Sequence, residues 1–395
     1  MDEEMPTSVD VVVASRREVL HLAPVIHELK SKARSDVRII ALQCAEKDLP
    51  EILSSVDLQT DMQWTVRGAD CNSGLFLSEI NLLLSELWGH RRPHWFLNFG
   101  HHDTTLTASV AAFHNQIPIA HIEDLNDFNS EKFFSAHLQR SHRSVAVLAE
   151  LLFTPSAFAK NALIHEGINE NMIYSVGSTL SDITHLIMQG YSRSDCLRTL
   201  FSSLSNLRMQ QIIRGDFLIL DLLYPSNIHK TVELLPRIIE LNKDFLPIFI
   251  SRDINMVDSF RQQSCLEGIL SLEHVNHLQR CSLLAQASCV VTDNEDTLEE
   301  CTAYGTKGIL LKEHTGRFDL ISSGLATIAA PQPELLCGQI ISARRGNHQK
   351  SLHLPSLHAS STATASKQIV QALLTSRTSG ISQKSKTEPL SRRAG

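Results

Sequence analysis

Trp95–Glu123, WFLNFGHHDTTLTASVAAFHNQIPIAHIE, holds an apolar run, a polar turn, a helical pattern and a second apolar run that ends on a carboxylate. That succession is the pattern of a βαβ unit, two parallel strands joined through a helix. In an open α/β sheet, ligands bind in the crevice outside the carboxyl ends of the strands. Gly100-His101-His102-Asp103 and His121-Ile122-Glu123 are therefore expected to face one crevice.

The same rhythm extends in both directions. Asp10–Ala14 (DVVVA) reads as a buried strand, followed by a helix through Val19, Leu22, Val25, Ile26 and Leu29, and then by a strand at Val37–Leu42. A helix near Asp48–Val56 and a long one across Leu75–Leu87 precede the strand at Trp95; a helix at Thr105–Phe113 and a strand at Ile117–Ile122 complete the quoted unit. Helical, Ser-rich sequence near Ser178–Asp216 marks a change of unit. The alternation then restarts: strand Phe217–Asp221, helix Thr231–Leu241, strand Leu246–Ser251, helix around Leu278–Ala287, strand Cys289–Thr292, helix Thr297–Ala303, strand Gly308–Leu311. Strands alternating with amphipathic helices predict parallel, doubly wound α/β sheets, and two such domains facing each other make a cleft.

Composition narrows the function classes. A chain of 395 residues exceeds one ordinary core, and 43% apolar residues suffice for two. The eight cysteines form no CxxC pair and no regular spacing, so buried thiols in a reducing compartment are expected rather than a zinc site or a disulfide framework. No apolar run reaches membrane-spanning length, and the acidic start MDEEMPTSVD lacks a signal-peptide pattern, so no membrane contact is expected and the location expected is cytoplasmic. Net charge is −7, but residues 340–395 hold nine Lys/Arg against the single acid Glu388, leaving that stretch at +8 and the rest at −15. An acidic body is a poor platform for nucleic acid. The tail is rich in Ser, Thr, Ala, Lys and Arg and from about Ser376 has a disordered composition.

Read residue by residue, the chain from about Asp10 to Leu320 resembles the non-hydrolysing UDP-N-acetylglucosamine 2-epimerases. Ala14-Ser15-Arg16-Arg17-Glu18, then Leu22-Ala23-Pro24 and Leu29, follow the family's opening G-T-R-P-E and M-A-P pattern. Gly100-His101-His102-Asp103-Thr104-Thr105 with Ala111-Ala112-Phe113 echoes its H-G-D-T segment, and Ile117-Pro118-Ile119-Ala120-His121-Ile122-Glu123 its I-P-V-x-H-V-E. Phe153-Thr154-Pro155-Ser156, Val176-Gly177-Ser178 with Asp182, and Thr292-Asp293 with Glu299-Glu300 follow in the family's order. The resemblance implies a glycosyltransferase-B type fold of two Rossmann-like domains: 1–180, then 181–345 as the nucleotide-sugar domain, followed by the basic tail 346–395. It also implies a homodimer, and UDP-GlcNAc as partner.

The family reaction eliminates UDP from UDP-GlcNAc and adds it back to a glycal, exchanging the C2 proton. It needs acids and bases at C2 and support for the departing diphosphate. The resemblance places Asp103, Glu123 and His101 as catalytic candidates; an ungapped alignment sets His101 at the family's acidic position, and a two-residue shift sets Asp103 there. Arg16, Asn294 and Arg317 fall on the nucleotide side and Glu300 on the ribose. No cofactor and no metal are implied. Departures are also present. The P-E-E-x-N-R segment falls on His137–His142 with both Glu gone, the G-H-R-R-E run falls near Leu222–Ser226, and the Ser-Gly-Gly diphosphate turn is Asn294-Glu295-Asp296, whose carboxylates suit a helix N-terminus but repel an anion. Glu123 could equally pair with Arg16 or Arg17 to support the fold. Three readings stand: a divergent epimerase, a catalytically inactive binding or regulatory subunit, and a glycosyltransferase or hydrolysing epimerase on another nucleotide sugar.

Overall fold

The computed structural model describes residues 6–33, 35–43, 49–66, 74–124, 136–190, 192–241, 246–251, 258, 260, 269–272, 275–312, 315, 317–329, 332–347 and 364–384. The chain divides into two compact units. The first comprises Met1–Asp124, His137–Thr179 and Ala363–Gly395, and the second Leu125–Ala136 and Leu180–Thr362.

The sheet of the first unit has strands β1 (Thr7–Val13), β2 (Ser35–Gln43), β3 (Met62–Thr65), β4 (Trp95–Phe99), β5 (Ile119–Ile122), β6 (Leu151–Thr154) and β7 (Ile173–Ser175). Their order is β3-β2-β1-β4-β5-β6-β7, and every pair is parallel. The quoted βαβ unit is formed as read: β4 pairs with β5 in the register Phe96↔Ile119 to Phe99↔Ile122, with the helix Asp103–His114 between them. The one acid inside β1, Asp10, is buried and bonded by Trp88 Nε1 (2.8 Å) and Arg38 Nε (3.0 Å), so its charge is matched inside the sheet.

The sheet of the second unit has β8 (Phe217–Asp221), β9 (Leu246–Ile250), β10 (Leu270–Leu272), β11 (Cys289–Thr292), β12 (Lys307–Leu310) and β13 (Ala326–Ile328), in the order β10-β9-β8-β11-β12-β13, again all parallel. Alternate residues of β8 point to opposite faces. Leu218 and Leu220 pack with Leu336 and Ile340 of the helix Pro333–Asn347, while Phe217 and Ile219 pack with Ile212, Leu283 and Leu284. Helices therefore cover both faces, which is the doubly wound architecture.

Strand order reverses between β1 and β4 in one sheet and between β8 and β11 in the other. At such a switch point the connections leave in opposite directions and open a crevice at the strand ends. The segment read as a tail contains the helix Ala365–Lys384, which belongs to the first unit, packs on the helix Arg16–Lys30 and runs on past Ser376. Among the described residues, no helix is long and apolar enough to cross a membrane.

Candidate active site

At the switch point of the first unit, the helix Arg16–Lys30 starts directly after β1. Ser15 caps it in a reciprocal box: its side chain accepts from Glu18 N, while Glu18 Oε2 accepts from Ala14 N (2.5 Å) and Ser15 N (2.9 Å). Glu18 Oε1 accepts from Thr105 Oγ1 at 3.2 Å, which ties this turn to the helix after β4. Burial pushes the Glu18 carboxyl up, against the opposing pull of His102 and of these hydrogen bonds. Arg16 is the first residue of the helix and is half-buried.

The β4 turn is made possible by Gly100, whose φ of +78° lies in the left-handed region, and Gly100 N donates to Ile122 O of β5 at 3.2 Å. His101 is buried, His102 is exposed at the N-cap, and Asp103 is half-buried in the first helical turn, where its charge suits the helix dipole.

Glu123 and Asp124 follow β5. Sequence reasoning offered Arg16 or Arg17 as partners for Glu123; the structure instead pairs Arg17 with Asp124 at 2.6 Å. The partner of Glu123 is His142, from the helix Ala136–Leu148, whose Nε2 donates to Oε1. On the other side, His121 Nε2 lies 3.6 Å from Oε2, and His121 Nδ1 donates to Asn98 Oδ1 at 2.6 Å. Asn98 Nδ2 donates in turn to Ser109 Oγ at 2.8 Å. Burial raises the Glu123 carboxyl, but His142 and His121 together outweigh it and hold it well below the usual carboxylate range. For His101 burial dominates; despite Asp124, and aided by the charges of His102, His142 and Arg17, it is pushed down to about 4. At neutral pH His101 is thus neutral and the buried Glu123 ionised.

In the second unit, Asp293 closes β11 and accepts from Leu223 N (2.8 Å), Tyr224 N (3.0 Å) and Asn227 Nδ2 (3.1 Å), fixing the start of the helix Pro225–Leu241. Asn294 caps the helix Glu295–Ala303 by accepting from Asp296 N at 3.0 Å. Each of three carboxylates on that helix has a cation. Glu295 takes Lys312 Nζ (3.3 Å) and Thr315 Oγ1 (2.8 Å), Glu299 takes Arg317 Nη1 (2.5 Å), and Glu300 takes Arg280 Nε (3.1 Å). Arg280 also bonds Asp221 at the end of β8 (2.8 Å); burial opposes its charge, and these two carboxylates more than restore it. The sequence showed no basic cluster to replace the lost His-Arg run, yet the fold gathers Arg280 from one helix and Lys312 and Arg317 from the loop after β12 around another helix. Among the described residues no group of three or more His, Cys, Asp or Glu is arranged to hold a metal ion.

Of the residues singled out from the sequence, Asp103, Glu123 and His101 lie at the ends of adjacent strands in the first unit, and Arg16 at the neighbouring turn. Asn294, Glu300 and Arg317 lie together in the second unit. His142, Asp124, Glu18 and Arg280 were not singled out. A buried carboxylate closing an apolar strand requires a cation, and that requirement was the signal available for His142 and Arg280.

A family profile described as UDP-N-acetylglucosamine 2-epimerase matches residues 57–374. A putative UDP-N-acetylglucosamine 2-epimerase of Thermotoga maritima is 24% identical over 335 residues, covering 82% of this chain and 84% of the relative. The UDP-N-acetylglucosamine 2-epimerase of Methanocaldococcus jannaschii is 22% identical over 343 residues, covering 82% and 89%. Among solved structures, the UDP-GlcNAc 2-epimerase of Neisseria meningitidis bound to UDP-GlcNAc superposes with a TM-score of 0.75 at 19% identity, over 93% of this chain and 100% of that one. The profile covers most of the chain, and the structure shares the epimerase fold. The chain belongs to the UDP-N-acetylglucosamine 2-epimerase family.

Proposed function

We propose that the protein interconverts UDP-GlcNAc and UDP-ManNAc in the crevice of the first unit. A base removes the C2 proton of the sugar, the C1–O bond to UDP breaks with its electron pair leaving on the diphosphate, and a C1=C2 double bond forms. Re-addition of UDP at C1 with proton delivery to the other face of C2 gives the epimer. The observation that carries this reading is the grouping of Asp103, half-buried at a helix N-terminus, with neutral His101 and the buried Glu123–His142 pair at adjoining strand ends. Asp103 is assigned as the base at C2. Arg16, Asn294 and Arg317 are assigned to the nucleotide and Glu300 to the ribose; the last three are each oriented by a bond or ion pair within the second unit. We place the enzyme in the cytoplasm, a reading that the buried thiols of Cys281, Cys289, Cys301 and Cys337 support.

Incubation with UDP-GlcNAc in deuterated water is expected to yield UDP-ManNAc with deuterium at C2 of both sugars. Release of free N-acetylmannosamine and UDP would indicate a hydrolysing enzyme instead. Absence of exchange together with no thermal stabilisation by millimolar UDP would overturn the enzyme reading and leave a pseudoenzyme.

We further propose a homodimer. The packed helices Gly74–His90 and Asp103–His114 expose Leu75 (82%), Leu82 (66%) and Phe113 (56%), an apolar surface of the kind a second copy covers. Light scattering is expected to give twice the chain mass, and Leu82→Glu with Phe113→Glu to halve it. A monomeric parent protein would refute this.

A further inference from the structure

Glu123 is a carboxylate that a ligand does not reach: its side chain has no exposed surface. Oε1 accepts from Asp124 N at 3.0 Å and from His142 Nε2, while Oε2 faces His121, itself fixed by Asn98. Its partner stands differently. The side chain of His142 keeps 9% of its surface exposed, and its ring meets His101 edge-on, with centroids 6.0 Å apart. The imidazole is thus the member of the pair at the crevice, with the carboxylate behind it. A buried carboxylate in that position orients an imidazole and stabilises its cation.

We propose that His142, oriented and kept charged by Glu123, is the cationic group with which this crevice meets negative charge on its ligand. For the identity of the ligand the inference rests on the function proposed above, in which that charge gathers on the departing diphosphate oxygen. Glu123 then has a positioning role and does not itself carry the C2 proton.

The surroundings agree. Glu123 and Asp124 face His142 from the end of β5, Glu166 from the end of the helix Ala157–His165, and His101 from the β4 turn, while Arg17 is already paired with Asp124. Burial alone would push the imidazole down; Glu123 opposes this most strongly, Glu166 and Asp124 add to it, and the result is a value above the usual one. His142 therefore keeps its charge to a higher pH than a free imidazole does, and loses it as pH rises through that raised value. Without Glu123 the burial effect would act with far less opposition, and the cation would persist only in acid.

Two readouts test this. The imidazole nitrogen resonances of ¹⁵N-labelled, full-length protein report the charge of His142 without any ligand. A protonated ring at about pH 7 is expected, and titration at a lower pH in Glu123→Gln; a neutral ring in the parent protein at about pH 7 overturns the proposal. Turnover of UDP-GlcNAc supplies the second. Glu123→Gln is expected to fall about 100-fold at about pH 7.5 and to recover most of that loss at about pH 5.5, where solvent protons do what the carboxylate did. His142→Gln should stay low at both, and His142→Arg should restore part of the rate at both. A folded Glu123→Gln that is equally inactive at the lower pH overturns the proposal and returns proton transfer to Glu123. Should the parent protein turn nothing over, the proposed function fails, and the resonances still decide the charge state.

Discussion

Asp103→Asn is expected to lower epimerisation of UDP-GlcNAc by about 10³-fold, the loss that follows removal of a positioned base. That corresponds to about 4 kcal/mol of transition-state stabilisation. The substitution is nearly isosteric and removes the charge alone. The backbone carbonyl of residue 103 still accepts from Thr107 Oγ1 (2.7 Å), and helix packing through Thr105, Ala108, Ala111 and Ala112 is untouched. The helix-dipole contribution lost with the charge is about 0.3–1 kcal/mol of stability. UDP should bind as before, because no step of nucleotide recognition is assigned to Asp103. Deuterium entry at C2 separates this from a defect in UDP departure: it should vanish together with epimerisation. A variant that turns over within tenfold of the parent, or that still exchanges the C2 proton at the parental rate, would remove Asp103 from this role. His101, the other residue the alignment sets near this position, would then be the group to change next. Its imidazole is pushed down to about 4, so it is a weak base at neutral pH and a better hydrogen-bond donor than proton acceptor.

Much of the fold was legible because parallel strands buried on both faces are continuous apolar runs. FLILD at Phe217–Asp221 and CVVT at Cys289–Thr292 begin and end where they were read. The short strands Ile173–Ser175, Leu270–Leu272 and Ala326–Ile328 were not seen, since three residues are too few to show a period. Helix starts came earlier than read wherever the first turn is polar. The helix expected at Thr231 starts at Pro225, a residue well suited to a first turn, under the hydrogen bonds that Asp293 accepts from Leu223 and Tyr224. The turn residues of the site were legible because the strand ends located them. Their partners were not: His142 is 19 residues from Glu123, and Arg280 is 59 from Asp221, so each pair exists only once neighbouring elements are packed. The cations that pair with Glu295 and Glu299, in and after the acidic turn Asn294-Glu295-Asp296, were hidden for the same reason. The cations at Lys312 and Arg317 lie in the loop after β12, next to β11 in the sheet but remote in the sequence.

Deleting residues 364–395 is expected to unfold the first unit. Composition marks this stretch as a solvated basic tail, because Ser, Thr, Lys and Arg outnumber its apolar residues. The apolar residues nevertheless fall on one stripe: Ala365, Ile369, Val370, Ala372 and Leu373 are all buried, Ile369 and Leu373 completely. The stripe lies on the helix Arg16–Lys30, and its position is fixed by Trp95 Nε1 donating to Leu373 O at 3.2 Å and Gln368 Nε2 donating to Val176 O at 3.3 Å. Losing three large side chains at about 1.5–3 kcal/mol each removes roughly 5–9 kcal/mol. Stranding the buried indole N–H costs about 1–3 kcal/mol more. A domain's whole stability is of that order, about 5–15 kcal/mol, so the shortened chain should be insoluble or should melt without a cooperative transition from this unit. Leu373→Ala in the full chain gives a graded version, about 2–5 kcal/mol by denaturant titration. A shortened chain that melts at the parental temperature would show that the helix is only laid on the surface. The expected outcome instead makes this helix part of the first unit's core, packed on the helix whose first residue is Arg16.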